Sequence, residues 1–150
     1  MPAEHWTFST EEASISAGAI CFRTDENGEI LVLLITSRGT RRWVIPKGTL
    51  EPGEKPYKCA EREAGEEAGI SGKADKRPIG YFTYIKELGT PPYIVGVFLL
   101  RVKSIAKRFP EEGQRRYVWV SPGEAAKMVQ EPELQSIFRR FANQVNPTKT

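Results

Sequence analysis

The sequence predicts an α/β domain, and three stretches carry that reading. Ser16–Arg23 and Ile30–Thr36 are apolar runs joined by Asp25-Glu26-Asn27-Gly28, whose Asn-Gly pair is a strong hairpin signal. Pro56 suits the first position of a helix and Gly69 the position just past its end, bracketing roughly three turns. Leu134, Ile137, Phe138 and Phe141 recur at helical spacing, with Arg139, Arg140 and Gln144 on the other side.

At 150 residues the chain suits one domain, long enough to bury roughly two-thirds of its unfolded surface. We divide it into an arm (1–15), the domain (16–145) and a tail (146–150). The opening MPAEHWTFSTEEAS has neither a basic n-region nor an apolar h-region, and the longest apolar runs fall well short of a membrane span, so a cytoplasmic protein is expected. His5 is the single histidine, which leaves no His-based zinc site and no serine triad. Cys21 and Cys59 read as small buried hydrophobes. There is no internal repeat and no low-complexity tract.

After the hairpin, Ser37–Arg42 is polar and basic, and Trp43–Ile45 with Pro46 reads as a short extended piece delivering Lys47 and Gly48. In the helix that follows, Ala60, Ala64 and Ala68 form a narrow stripe that allows close approach to a sheet. Glu63, Glu66 and Glu67 fall at i, i+3, i+4 on another face, where like charges cost roughly 0.2 to 0.5 kcal/mol per pair. Arg62 offsets part of that through Glu66 or Glu54, so stability alone does not explain the pattern. Further on, Asp75–Ile85 and Tyr93–Lys103 read as strands, with Tyr81, Phe82, Tyr84, Phe98 and Leu99 as core or pocket walls. Ser104–Arg116 is a charged connection. Tyr117–Val120 is a strand, Ser121 caps a helix running to Gln130, and Glu133–Val145 is a packing helix ahead of a frayed end.

Net charge is +3, yet Gly48–Ile70 is −3 and the rest of the chain +6. Oxygen-only ligands favour a hard cation, Mg²⁺ or Mn²⁺, over zinc. Mg²⁺ is ordinarily held by one or two carboxylates together with substrate phosphates, which places a polyphosphate at the acidic cluster. Such ions neutralise phosphoryl charge and acidify water for in-line attack at phosphorus, so the chemistry points to hydrolysis of a diphosphate bond. Gly48 to Gly53 has P-loop spacing, but Glu54-Lys55 follows instead of Lys and Ser/Thr, which excludes a phosphate cradle.

Gly48, five residues, Glu54, seven residues, then Arg62-Glu63-Ala64-Gly65-Glu66-Glu67-Ala68-Gly69-Ile70 resembles the Nudix hydrolase box. The departure is Ala64, where that family usually carries a larger aliphatic residue. The resemblance implies an α/β/α sandwich with a mixed central β-sheet. It also implies Glu63, Glu66, Glu67 and the Gly48 carbonyl as ligands of Mg²⁺ or Mn²⁺, with more than one ion once substrate is bound. Arg62 and Glu54 would be the ion pair holding loop to helix. We assign Glu66 as the general base, with Glu111 or Glu112 as alternatives from outside the box.

RRWVIPKG is similar to the diphosphoinositol polyphosphate phosphohydrolases and their bacterial relatives, which also cleave dinucleoside polyphosphates. That likeness implies Arg38 and Arg42 as phosphate contacts; position adds Lys47, and Arg115 or Arg116 lies where it could reach the substrate. Ser14 and Ser16 replace basic residues of that branch, and Lys86–Pro92 carries one lysine and one glutamate, which favours a less highly charged substrate. The expected partner is thus a small-molecule polyphosphate: nucleoside diphosphate-linked, dinucleoside polyphosphate or diphosphoinositol polyphosphate. The alternatives are a non-catalytic sensor, which would ordinarily have lost box glutamates, and an RNA 5′-end pyrophosphohydrolase, for which the arginines form no continuous track.

Overall fold

The computed structural model describes residues 14–85 and 87–146. Most of the expected arm, including His5, and the last four residues of the tail lie outside them. Eight strands and three helices follow in the order β1 (Ser14–Thr24), β2 (Ile30–Thr36), β3 (Trp43–Val44), β4 (Lys47–Thr49), α1 (Pro56–Ala68), β5 (Ile70–Ala74), β6 (Gly80–Tyr84), β7 (Tyr93–Ile105), β8 (Tyr117–Val120), α2 (Pro122–Met128) and α3 (Pro132–Val145).

All eight strands join one mixed sheet with the spine β3-β2-β1-β7-β5; β4 is added to β1, β6 to β7 and β8 to β2. β1 and β7 are parallel, in register from Ser14↔Tyr93 to Phe22↔Arg101. The other pairs are antiparallel. The hairpin forms at the Asn-Gly pair: Gly28 has φ 82°, and Asp25 Oδ1 accepts from the backbone N–H groups of Asn27 and Glu29 at 2.8 and 2.9 Å.

Strand alternation divides the core into two layers. Ala17, Ala19, Cys21, Leu33, Ile35, Phe98 and Leu100 meet Cys59, Ala60, Ala64 and Ala68 of α1. Alanine facing alanine brings α1 close to the sheet, as the stripe predicts. Ile20, Val32, Leu34, Val95 and Val97 on the opposite face meet Ala125 and Ala126 of α2 and Leu134, Ile137, Phe138 and Phe141 of α3. Each of those fully buried large side chains stabilises the fold by roughly 1.5–3 kcal/mol. The result is an α/β/α sandwich, and among the described residues no helix is long and apolar enough to cross a membrane.

Two strand expectations need correction. The strand read as Asp75–Ile85 is confined to Gly80–Tyr84, since Pro78 has no N–H to give a ladder. Ile70–Ala74 is a strand that was not foreseen. It pairs with β7 around a bulge between Ser71 and Gly72, where a Cβ on Gly72 would stand 2.2 Å from the Arg101 carbonyl oxygen. Smaller shifts move both ends of β1 and the far end of β7 outward by one or two residues, end α2 at Met128 and start α3 at Pro132.

Candidate active site

The site forms where β4 and the loop after it meet α1. β4 lies along the first half of β1 in the register Ser16↔Thr49, Ala17↔Gly48, Gly18↔Lys47, which sets the Gly48 main chain beside the helix. A Cβ on Gly48 would stand 2.0 Å from Glu63 Oε2, so the absence of a side chain is what lets this carboxylate lie against the backbone. The Cys59 thiol donates to the Gly48 carbonyl at 3.5 Å, a contact beyond the simple apolar role expected for it.

Arg62 is the hub of the loop–helix junction. Its Nε and Nη2 donate to the two oxygens of Glu54 at 2.8 and 2.9 Å, a fork-to-fork contact. Nη2 also reaches the Thr49 carbonyl at 3.2 Å. Nη1 donates to Glu63 Oε2 at 3.0 Å and to Glu66 Oε2 at 3.3 Å. The hydrogen bond from Arg62 holds the Glu54 carboxyl down to about 2, and the same bond raises Arg62 above its ordinary value.

Glu63 and Glu67 are buried, one helical turn apart on α1. Burial, with the neighbouring Glu63 carboxyl second, pushes Glu67 up to about 8; burial also raises Glu63. Glu67 Oε1 accepts from the Lys47 N–H at 3.3 Å and lies 3.8 Å from Arg115 Nη2. Glu66 turns outward to Arg62. The three carboxylates therefore divide two and one, and among the described residues no group of three or more His, Cys, Asp or Glu side chains is placed to hold an ion.

The donors themselves suit a hard divalent cation. Two buried carboxyls one helical turn apart, flanked by the Gly48 main chain, present oxygen alone, and burial makes their charged forms costly unless a cation joins them.

Beside Glu67 and Gly48 opens a cleft of about 370 Å³ whose lining includes Arg38, Arg42, Lys47 and Arg115, the four residues expected at the substrate. Arg38 Nη1 donates to Gln114 Oε1 at 2.9 Å. Arg42 follows a turn closed by Ser37 N to Arg42 O at 2.8 Å, in which Arg41 has φ 58°, a conformation costing about 1–3 kcal/mol outside glycine. Lys47 Nζ sits 3.9 Å over the Tyr84 ring, and burial lowers it to about 8. Arg115 donates to the Thr36 carbonyl at 3.0 Å and to Glu111 Oε1 at 2.8 Å.

Of the two outside glutamates, Glu111 is the one tied to the site, through Arg115 and through its N–H, which donates to the Glu66 carbonyl at 3.0 Å. Two features, one in the cleft lining and one behind it, were not singled out from sequence. Tyr84 stood there only as one of several core or pocket walls, while Glu131, buried and paired with Arg42, had as its sole signal a glutamate preceding Pro132 where a short capping residue is usual.

Residues 15–141 match the NUDIX domain. Diphosphoinositol polyphosphate phosphohydrolase 3-alpha from Homo sapiens is 31% identical over 131 residues, which make up 86% of this chain and 77% of that protein. The crystal structure of C. elegans Ap4A hydrolase matches with a TM-score of 0.68 at 25% identity, covering 89% of this chain and 98% of that one. A NUDIX hydrolase from Nitrosomonas europaea shares the fold, with a TM-score of 0.67 at 22% identity over 88% of this chain and 90% of its own. With the box residues, the sandwich and these likenesses in agreement, the chain belongs to the NUDIX domain family.

Proposed function

We propose that this protein is a diphosphate hydrolase that cleaves the anhydride of a nucleoside diphosphate-linked, dinucleoside polyphosphate or diphosphoinositol polyphosphate substrate in the cytoplasm. The observation that carries the reading is the meeting of four cationic side chains and the buried Glu67 carboxyl at a single cleft. The names of the relatives, a diphosphoinositol polyphosphate phosphohydrolase and an Ap4A hydrolase, lie within the same substrate classes.

In this account Arg38, Arg42, Lys47 and Arg115 bind phosphate oxygens and align the anhydride. Glu63, Glu66, Glu67 and the Gly48 carbonyl would hold Mg²⁺ or Mn²⁺, with more than one ion once substrate is present. When bound, such ions neutralise phosphoryl charge and assist the leaving group. Arg62, clamped on Glu54, keeps the Gly48 loop in register with the helix. Glu66, the most exposed of the three box glutamates, leaves Arg62 and accepts the proton of the attacking water. Ser16 and Glu87 in the cleft lining favour a substrate less densely charged than an inositol polyphosphate.

The test is phosphate or nucleotide release from dinucleoside polyphosphates, diphosphoinositol polyphosphates, nucleotide sugars and nucleoside triphosphates with Mg²⁺ or Mn²⁺. Turnover of at least one class, lost with EDTA and in Glu66→Gln, is expected. Background rates throughout, with tight metal-independent binding, would assign the protein as a sensor instead.

A further inference from the structure

A buried carboxylate behind the cleft wall takes no part in the reaction outlined above. Glu131 directly precedes α3, where a residue ordinarily caps the helix through a short polar side chain. Glu131 makes no side-chain cap. It is buried and reaches across 89 positions to Arg42, whose Nη1 donates to Glu131 Oε2. Its other oxygen, Oε1, is the one buried side-chain polar atom among the described residues without a hydrogen-bond partner. Packing would favour an apolar residue here over a half-satisfied carboxylate, so stability does not account for it.

The two partners are held from both sides. Glu133 Oε1 accepts from the Thr83 N–H at 2.8 Å, and Gln135 Nε2 donates to the Val129 carbonyl at 2.8 Å, which anchors the start of α3 to β6 and to the end of α2. Arg42 is set by the closed turn of residues 37–42, where its N–H donates to Ser37 Oγ at 3.1 Å. Its guanidinium lies 5.0 Å from the Tyr84 ring centroid. Among the described residues only one of its side-chain hydrogen bonds is spent, on Glu131, although a guanidinium carries five N–H donors in a fixed fork. Arg42 itself lines the cleft.

We infer that Glu131 is a positioning residue for anion binding: it fixes the Arg42 guanidinium in the cleft wall with its remaining N–H groups uncommitted. A charged acceptor makes the stronger and more directional bond, and a prepositioned arginine binds a diphosphate without first losing its rotamer freedom. This rests on Arg42 being a phosphate contact.

The experiment is calorimetric titration of imidodiphosphate, a non-hydrolysable diphosphate, with Mg²⁺, into the wild type, Arg42→Ala, Glu131→Gln and the double variant. Arg42→Ala and Glu131→Gln are each expected to weaken binding about tenfold, and the double variant to be no weaker than Arg42→Ala alone. In ¹⁵N-arginine spectra the Arg42 Nη1–H signals should exchange faster in Glu131→Gln. Losses that multiply in the double variant, or a Glu131→Gln that binds like the wild type while Arg42→Ala does not, would overturn the inference. Unchanged binding in Arg42→Ala, or none in the wild type, would instead remove the anion-site reading beneath it. Glu131→Met, of similar length and without polar atoms to bury, gives the same readout if the Gln variant does not fold.

Discussion

Arg62 holds both carboxylate oxygens of Glu54, at 2.8 and 2.9 Å, and through them fastens the loop after Gly48 to the helix carrying Glu63, Glu66 and Glu67. Lysine keeps the charge but cannot span both oxygens. Arg62→Lys is therefore expected to lower the unfolding free energy in urea by about 1–3 kcal/mol. It should also reduce kcat about a hundredfold, since misplacing the loop by a fraction of an ångström misplaces the Gly48 carbonyl.

The same pair gives a pH dependence with a definite sign. The Glu54 carboxyl falls from its usual 4.5 to about 2 in the folded chain, chiefly through the hydrogen bond from Arg62. A depressed folded value means stability that is complete above the unfolded value and lost as pH falls from about 4.5 through about 2. Urea titrations of wild type and Glu54→Gln should show the wild type clearly more stable at pH 7 and the gap closing across that window. A gap of constant size would contradict the pairing.

Gly48→Ala separates packing from function. The new Cβ would meet only the carboxyl end of the flexible Glu63 side chain and no backbone, so the stability cost should stay under about 1 kcal/mol. The carboxylate would nonetheless leave its place against the main chain. Mn²⁺ affinity, read by electron paramagnetic resonance, should fall at least about tenfold.

Glu67→Gln keeps an acceptor for the Lys47 N–H and removes an ionisable carboxyl whose charged form is costly to bury. Unfolding free energy is expected to change by less than about 1 kcal/mol while kcat falls at least about a hundredfold. Equal losses in both would make Glu67 a structural residue.

Much of this was legible because the signals are local. Asn27-Gly28, the alanine stripe of α1 and the Ser121 cap, whose Oγ accepts from the Glu124 N–H at 3.1 Å, all act within a few residues of themselves. The cleft cations were legible one by one, but their meeting depends on β8 pairing with β2, which brings Arg115 to the Thr36 carbonyl. β5 was hidden since Ile70–Ala74 has little apolar alternation and is held by the close backbone approach at Gly72. The outward turn of Glu66 was half visible in its i+4 spacing from Arg62. Glu131 was not visible at all as a partner of Arg42, for no spacing rule spans 89 positions.

The most direct measurement is a crystal structure grown with Mn²⁺ and imidodiphosphate, read by anomalous scattering. The account expects at least one manganese peak bounded by Glu63, Glu67 and the Gly48 carbonyl, with the diphosphate oxygens completing its shell and Arg42 on the phosphate. A map with no peak between those carboxyls, or with manganese and diphosphate bound elsewhere on the protein, would contradict it.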